Sequence, residues 1–297
     1  MRETRKTEPK RGEPTLPELR QEIDRIDEAV HGLLIERGEI ISSLIAVKRT
    51  QESGSAFRPA REAAMMRRLV ERHRGLLPLD TIESIWRVII STFTFVQANY
   101  AVHADMSAGD ALMRDSARFH FGFTVPLKPH VGAAAVVAAV AASKGDLGLV
   151  PASALAGGGA WWTALEPIEA PKIIARLPFV ERPDHPASLP VFVVSKPLVA
   201  DAAINEVQIF SVAVAGWNAA TARAISPLAE VIAVPLGAYD GAALLLSLPP
   251  GRKLDEITGA LTAAGGSVRS SALVGGHATR YTLPPAGERK KKSGVSS

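Results

Sequence analysis

The stretch that decides the fold of this chain is LPELRQEIDRIDEAVHGLLIERGEIISSLIAVK, from Leu16 to Lys48. Its apolar residues recur at intervals of three and four, at Leu16, Leu19, Ile23, Ile26, Val30, Leu33, Ile40, Leu44 and Val47. This spacing predicts one amphipathic helix with an apolar seam for partner helices. At its rise per residue such a helix is roughly 50 Å long, so we expect a second copy of the chain beside it.

One position of this seam carries a cation. Arg37 stands where the register demands an apolar residue, and a cation in a core position is costly unless an anion meets it. Lys48 follows three turns later on nearly the same face, whereas Arg20 lies roughly 100° around the helix from Arg37. Taken singly, each of these cations is better explained by a solvated or snorkelling side chain. If they act together, Arg20 must reach a pocket on a partner helix.

The composition of the 297 residues excludes several classes of function. A net charge of +4 is too weak to indicate nucleic acid, and the absence of cysteine rules out a thiol nucleophile or a thiolate metal site. The histidines form no ligand-spaced cluster, so we expect neither a metal nor another cofactor. No signal peptide opens the chain, and the apolar run at 131–142 is too short to span a bilayer. We therefore expect a soluble cytoplasmic protein without membrane or nucleic-acid partners.

Two shorter helices are predicted after a loop, from about Pro59 to Arg74 and from about Asp80 to Ala101. The apolar stripe of the first comprises Ala63, Met66, Leu69 and Val70. That of the second comprises Ile82, Ile85, Trp86, Ile89, Ile90, Phe93 and Val96. With the long helix they predict a helical domain over residues 16–102.

The composition shifts near His103 towards alanine, glycine, valine and proline. Strands are predicted at 119–125, 146–151, 172–180, 190–196, 209–216, 230–236 and 242–249, and helices at 131–145, 219–229 and 254–266. This alternation predicts an α/β domain over 103–285. The two ends of the chain, 1–15 and 286–297, are predicted to be disordered tails. The predicted fold class is a multidomain protein, all-α and then α/β.

Six polar residues break the apolar pattern of the three helices, namely Arg20, Arg37, Lys48, Arg61, Glu62 and Gln97. Four cations, one carboxylate and one amide would make a pocket for a small dianion. Together with the motifs LRQEIDRID, LLIER and ARE, this ordered set resembles the all-helical class of chorismate mutases over residues 16–101. Two positions depart from the family pattern, Arg58 in place of an acidic residue and Phe93 in place of a small hydroxyl residue.

The resemblance implies an intertwined, all-helical homodimer that converts chorismate to prephenate in aromatic amino acid biosynthesis. Each pocket would borrow Arg20 from the partner subunit, while Arg37 and Arg61 hold the substrate carboxylates. Lys48 and Gln97 would hydrogen-bond the ether oxygen. Glu62 would accept a hydrogen bond from the ring hydroxyl. The rearrangement requires no nucleophile, metal or proton transfer.

The chemistry explains these residue types. Negative charge grows on the ether oxygen as its bond to carbon breaks, so a fixed ammonium and amide stabilise the transition state more than the ground state. Arginine suits the carboxylates because its planar fork binds them through two hydrogen bonds. A carboxylate among cations should stay ionised well below neutral pH, so we expect a low pKa for Glu62.

The C-terminal two thirds carry weaker signals. KGDLGLVP at 144–151 and KIIARLPFVER at 172–182 resemble prephenate dehydratases, but Ala175 stands where that family carries threonine in a Thr-Arg-Phe triplet. We therefore predict a degenerate dehydratase-like domain kept for scaffolding, ligand sensing or dimer stability. Two alternatives remain, a bifunctional chorismate mutase/prephenate dehydratase and a non-catalytic dimerisation module with a ligand-sensing domain. The glycine-rich stretch 265–277 is interpreted as turns, and the pair Trp161-Trp162 as packing.

Overall fold

The computed structural model describes residues 14–48, 56–153, 158–197, 206–236 and 241–283. The tails predicted at 1–15 and 286–297 lie outside the described residues, except for residues 14 and 15. The chain divides into two compact units between Thr50 and Gln51. The predicted domain boundary stood at residue 102, so the second and third helices are found in the same unit as the sheet.

The first unit contains one helix, α1 (Leu16–Lys48), whose bounds are those predicted. Thr15 begins it, because its backbone N–H and its hydroxyl each donate to Glu18 Oε2 over 2.7 Å. Eight of the nine seam residues are exposed, with Ile23 57% and Leu33 64% accessible, and Leu44 is half-buried. A continuous apolar face of this length is available to pack against another surface.

The second unit opens with two helices, α2 (Pro59–Arg72) and α3 (Leu79–Gln97), both shorter at their C-terminal ends than predicted. In α2 the predicted residues Met66, Leu69 and Val70 are buried, which confirms its stripe.

The stripe predicted for α3 is confirmed only in part, because Ile90 is buried and Ile82 and Trp86 pack against the core. Ile85 and Val96 are exposed, and the buried residues are Glu83, Arg87, Ile90, Ser91 and Thr94. The polar stripe turns inward because charged side chains from neighbouring elements meet Glu83 and Arg87 there. A smaller set of apolar residues, Ile85, Val88 and Val96, is exposed on α3.

The α/β part of the second unit follows directly after α3. Its first half comprises β1 (Val102–Asp105), α4 (Asp110–Phe121), β2 (Leu127–His130), α5 (Ala133–Ala142), β3 (Leu147–Pro151), β4 (Lys172–Leu177), β5 (Val180–Glu181) and β6 (Val191–Ser195). Its second half comprises β7 (Val207–Ala215), α6 (Ala219–Ile225), β8 (Glu230–Pro235), β9 (Ala242–Leu248), α7 (Leu254–Ala263), β10 (Ser267–His277) and β11 (Tyr281–Thr282).

In the described part of the chain, the large sheet has nine strands in the order β2-β1-β3-β6-β4-β10-β7-β9-β8, and β11 pairs with β5 in a separate ribbon. The strand β1 is parallel to both of its neighbours. The segment from β7 to β10 has the β-α-β-β-α-β order of a ferredoxin-like unit. The predicted α/β class is confirmed.

Three of these elements escaped the sequence analysis, namely β1, α4 and β2. The strand predicted at 119–125 is wrong, because residues 119–121 form the last turn of α4. That helix ends at Gly122, whose φ of 66° is in the left-handed region. The interpretation of 265–277 as turns is also wrong, since 267–277 form the long strand β10. The remaining predicted strands and helices are confirmed to within a few residues.

Helices cover both faces of the sheet. On one face α2, α3 and α4 pack against β1, β3, β4 and β6. On the other face α5 lies so close to β3 that a Cβ at Gly148 would stand 2.7 Å from a Val136 methyl carbon. Trp161 and Trp162 are buried in that second core, which confirms that they pack rather than bind a ligand by stacking. The helices α6 and α7 cover the strands of the ferredoxin-like unit.

Candidate active site

Three of the predicted site residues lie on α1. Arg20 is exposed, Arg37 is half-buried, and Lys48 is the last residue of the helix. Because the whole stretch is helical, Arg20 and Arg37 project from faces about 100° apart. The first unit therefore does not bring Arg20 and Arg37 together on one side of their own helix.

Two more predicted residues lie in the first turn of α2, which begins at Pro59. Arg61 is exposed there, whereas Glu62 is buried. The Glu62 carboxylate accepts a hydrogen bond from Arg87 Nη1 of α3 over 2.7 Å. Arg87 also donates from Nη2 to the backbone carbonyl of His120 at 3.0 Å. Glu62 is thus one half of a buried ion pair that spans three helices.

Burial has a direct effect on the ionisation of Glu62. Desolvation raises the pKa of this carboxyl group, and the opposing pull of Arg87 and Arg61 does not cancel it. The prediction of a low pKa is therefore wrong in direction. It counted the cations near Glu62 in the sequence and omitted the cost of removing the carboxylate from water.

This raised pKa predicts a specific pH dependence of stability. The folded chain holds the Glu62 proton more tightly than the unfolded chain, so the associated stability is present below the unfolded pKa and is lost as the pH rises through the folded pKa. In Glu62→Gln this contribution is absent. Urea unfolding of both proteins from about pH 4 to pH 8 should show wild type losing stability relative to the variant as the pH rises. A difference that moves the other way would mean that Arg87 outweighs burial.

The sixth predicted residue, Gln97, ends α3. Its Nε2 donates to the backbone carbonyl of Phe93 at 2.9 Å, one turn earlier in the same helix. Along α3, Gln97 is about 15 Å from Arg87 and hence from the level of Glu62. The second unit therefore places Arg61 and Glu62 side by side and holds Gln97 some three turns away.

Two buried charged residues of α3, Glu83 and Arg87, were not among the predicted site residues. Glu83 of α3 is buried and accepts from Arg182 Nη1 at 2.6 Å, with His185 Nε2 3.2 Å from its other oxygen. The available signal was the pair Glu83 and Arg87, one turn apart in a helix that is otherwise strongly apolar. Buried charges require partners, and these partners come from elements distant in sequence.

The strand β4, which resembles prephenate dehydratases, contains a buried arginine that forms an ion pair. Arg176 of β4 is buried and forms a forked ion pair with Glu230 of β8, with Nη2 2.8 Å from Oε1. Burial works to raise the pKa of Glu230, but the hydrogen bonds and charge of Arg176 outweigh it and the pKa is lowered. Arg176 therefore joins two strands of the sheet, and the neighbouring Ala175 is buried without a hydroxyl group.

With this geometry established, the helical region can be compared with known proteins. Residues 19–98, which include almost all of α1 to α3, match the family described as chorismate mutase type II. This match confirms the resemblance predicted for the N-terminal helices.

Curated relatives extend this likeness past the helices. The chain is 28% identical over 140 residues to the bifunctional chorismate mutase/prephenate dehydratase of Stutzerimonas stutzeri, covering 46% of this chain and 38% of that protein. A protein of the same description from Aquifex aeolicus is 29% identical, with the same coverage. The chain thus spans less than two fifths of the length of the curated relatives that it matches.

Among solved structures, a prephenate dehydratase from Streptococcus mutans aligns with 62% of this chain and 100% of its own, at 13% identity and a TM-score of 0.34. A likeness at this level carries no assignment. Within the described residues, none of the helices has the length and apolar character needed to cross a membrane.

Proposed function

We propose that the protein is a chorismate mutase, which rearranges chorismate to prephenate by electrostatic stabilisation of the transition state. The observation that carries this proposal is the family match over residues 19–98, on a helix of 33 residues with the expected bounds. The same segment contains Arg20, Arg37, Lys48, Arg61, Glu62 and Gln97 in the family's order.

We propose further that the working form is a homodimer in which the long helices pair. Two apolar surfaces support this assembly. One is the seam of α1, and the other is the exposed face of α3 that includes Ile85 and Val96. Large apolar side chains gain roughly 25 cal/mol for each Å² removed from water, so two such faces favour association. A second copy of the chain supplies matching faces, as a two-fold interface requires.

In this proposal different residues bind the carboxylates and the ether oxygen of the substrate. Arg37 and Arg61, with Arg20 of the partner subunit, hold the two carboxylates and fold the enolpyruvyl group over the ring. Lys48 and Gln97 hydrogen-bond the ether oxygen, where negative charge grows as the bond breaks.

Glu62 has a modified role in this proposal. Its carboxylate already binds Arg87, and burial raises its pKa. The ring hydroxyl of the substrate then meets a Glu62–Arg87 pair instead of a solvated carboxylate. The pair offers an acceptor on the glutamate and leaves Arg87 to hold that acceptor in place.

The experiment that tests the function is an ultraviolet assay of the purified full chain with chorismate, followed by identification of the product. We expect loss of chorismate and accumulation of prephenate. Chorismate that persists at its uncatalysed rate would contradict the proposal and favour the third reading, a dimerisation module with a ligand-sensing domain.

The names of the curated relatives favour a second candidate, a bifunctional enzyme that also dehydrates prephenate. The same assay separates the two, because phenylpyruvate formed without added acid requires the second activity. We expect prephenate alone, since Ala175 lacks a hydroxyl group and Arg176 is committed to Glu230.

A further inference from the structure

A cluster of titratable side chains lies at one edge of the sheet, apart from every residue assigned to the mutase. Its members are His103 and Asp105 on β1, Lys128 and His130 on β2, and Asp146 just before β3. The register pairs His103 with Lys128 and Asp105 with His130. Because side chains alternate along a strand, these four project from the same face.

The cluster contains a chain of hydrogen bonds. Asp146 accepts from the backbone N–H of Ala101 at 2.9 Å through Oδ1, and its Oδ2 lies 3.0 Å from His103 Nε2 and 3.4 Å from Lys128 Nζ. The other nitrogen of His103, Nδ1, lies 2.7 Å from His130 Nε2. His103 is buried, whereas His130 is half-buried on the edge strand β2.

These contacts fix the tautomers of both rings. The pKa of Asp146 is lowered, because the hydrogen bonds and charges around it outweigh its burial, so the carboxylate only accepts. A neutral His103 must then carry its proton on Nε2 and accept at Nδ1. His130 donates from Nε2 and keeps a lone pair on Nδ1, which has no hydrogen bond to any described residue. His130 therefore presents an acceptor.

Asp105, the register partner of His130, presents a second acceptor. It is fully buried, and its Oδ1 accepts from the backbone N–H groups of Ser107 and Gly132 at 2.9 Å each. Its Oδ2 is buried and has no hydrogen-bond partner in the described structure. A buried carboxylate oxygen without a donor is costly, so this oxygen is an acceptor for a donor from outside the chain.

The position of these acceptors is also informative. Asp105 and His130 end the parallel strands β1 and β2, and ligands of open α/β sheets bind outside the carboxyl ends of the strands. Two carboxylates and one ammonium give the cluster a net negative charge when both imidazoles are neutral. A cation with several N–H donors satisfies both acceptors and complements that charge.

We propose that Asp105 and His130 form a binding site for the primary ammonium group of a small molecule. The ammonium donates to Asp105 Oδ2 and to His130 Nδ1, and the link through His103 to Asp146 keeps His130 in the accepting tautomer. This site shares no residue with the proposed mutase pocket, so it stands or falls independently of that function.

The pH dependence of this site follows from its neighbours. Burial, the neighbouring His103 ring and the charge of Lys128 lower the pKa of His130, so its ring is neutral at neutral pH. The charged groups that face it are His103, Lys128, Asp105 and Asp146, since α5 contains only alanine and valine. Ammonium binding should therefore be constant near neutrality and weaken as acid protonates His130.

The test is a titration of the full chain, observed through the histidine ring resonances in NMR spectra. The probes are ethanolamine, which carries an ammonium with N–H donors, choline, which has the same charge without such donors, and ethylene glycol, which is neutral. We expect a saturable change at His130 with ethanolamine alone. Before any probe is added, the ring spectra should place the protons of His103 and His130 on Nε2.

Two variants test whether ethanolamine binding depends on Asp105. Asp105→Asn keeps the acceptor for Ser107 and Gly132 but removes the charge, and it should weaken ethanolamine binding at least about tenfold. Asp110→Asn, at an exposed aspartate in the first turn of α4, is the matched control and should bind like wild type. Equal responses to ethanolamine and choline, no saturable response, or protons on Nδ1 would each overturn the proposal. These wild-type results decide the matter even if Asp105→Asn fails to fold.

Discussion

Lys48→Ala should reduce turnover of chorismate by about 100- to 1000-fold, the usual loss when one donor to a developing oxyanion is removed. Lys48 is the last residue of α1, and in the proposed site its ammonium binds the ether oxygen. Because the ammonium acts mainly in the transition state, the loss should appear in kcat more than in KM. Steady-state kinetics measure it directly.

A matched control is available on the same helix. Arg25 is exposed on the polar side of α1, where it pairs with Glu22 at 2.6 Å. Such surface pairs contribute little, so Arg25→Ala should keep both turnover and the dimer. If Lys48→Ala retained more than about a tenth of wild-type turnover while Arg25→Ala behaved as expected, the role assigned to Lys48 would be wrong.

Arg20→Ala and Arg37→Ala homodimers should both be nearly inactive, yet activity should return when the two are unfolded and refolded together. The reason is the angle of about 100° between these side chains on α1, which places them in different pockets. A mixed dimer then has one pocket with Arg20 from one chain and Arg37 from the other, both intact. Random pairing makes about half of the molecules mixed, so about a quarter of all pockets should recover.

The control for this experiment is each variant refolded alone, which should stay inactive. Native mass spectrometry of chains that differ in mass verifies that mixed dimers are present. Mixed dimers without activity would mean that one chain builds the whole site, and the proposed pairing of the long helices would then be excluded.

The sequence predicted the fold best where periodicity is long. The bounds of α1 were predicted to the residue because its apolar spacing persists over many turns and proline and loop residues flank it. The three missed elements, β1, α4 and β2, are short or polar. VHAD and LKPH carry little β-branched character, and the aromatic residues of FHFGF suggested a strand where α4 ends.

The candidate site could be predicted only in part. Residue types and their order on three helices are properties of the sequence, so the six polar positions were accessible. Arg87 was not, because its significance lies in its 2.7 Å contact with Glu62, which comes from a different helix. Periodicity likewise gave only part of the core face of α3, since it weighs apolar residues and does not anticipate that Glu83 and Arg87 find buried partners.

The ion pairs beneath α3 also bear on how this gene can be recombined. Arg182 and His185, which hold Glu83, are encoded far downstream of the helical segment, and Arg87 is anchored on the backbone of His120. A fragment that stops after Gln97 would lose these partners and uncover Met66, Leu69 and Ile90 to solvent. The helices α2 and α3 therefore cannot be transferred to another protein without the downstream elements that pair with them. A chimera that takes α2 and α3 without the sheet must either include the downstream partners or replace Glu83 and Arg87 together.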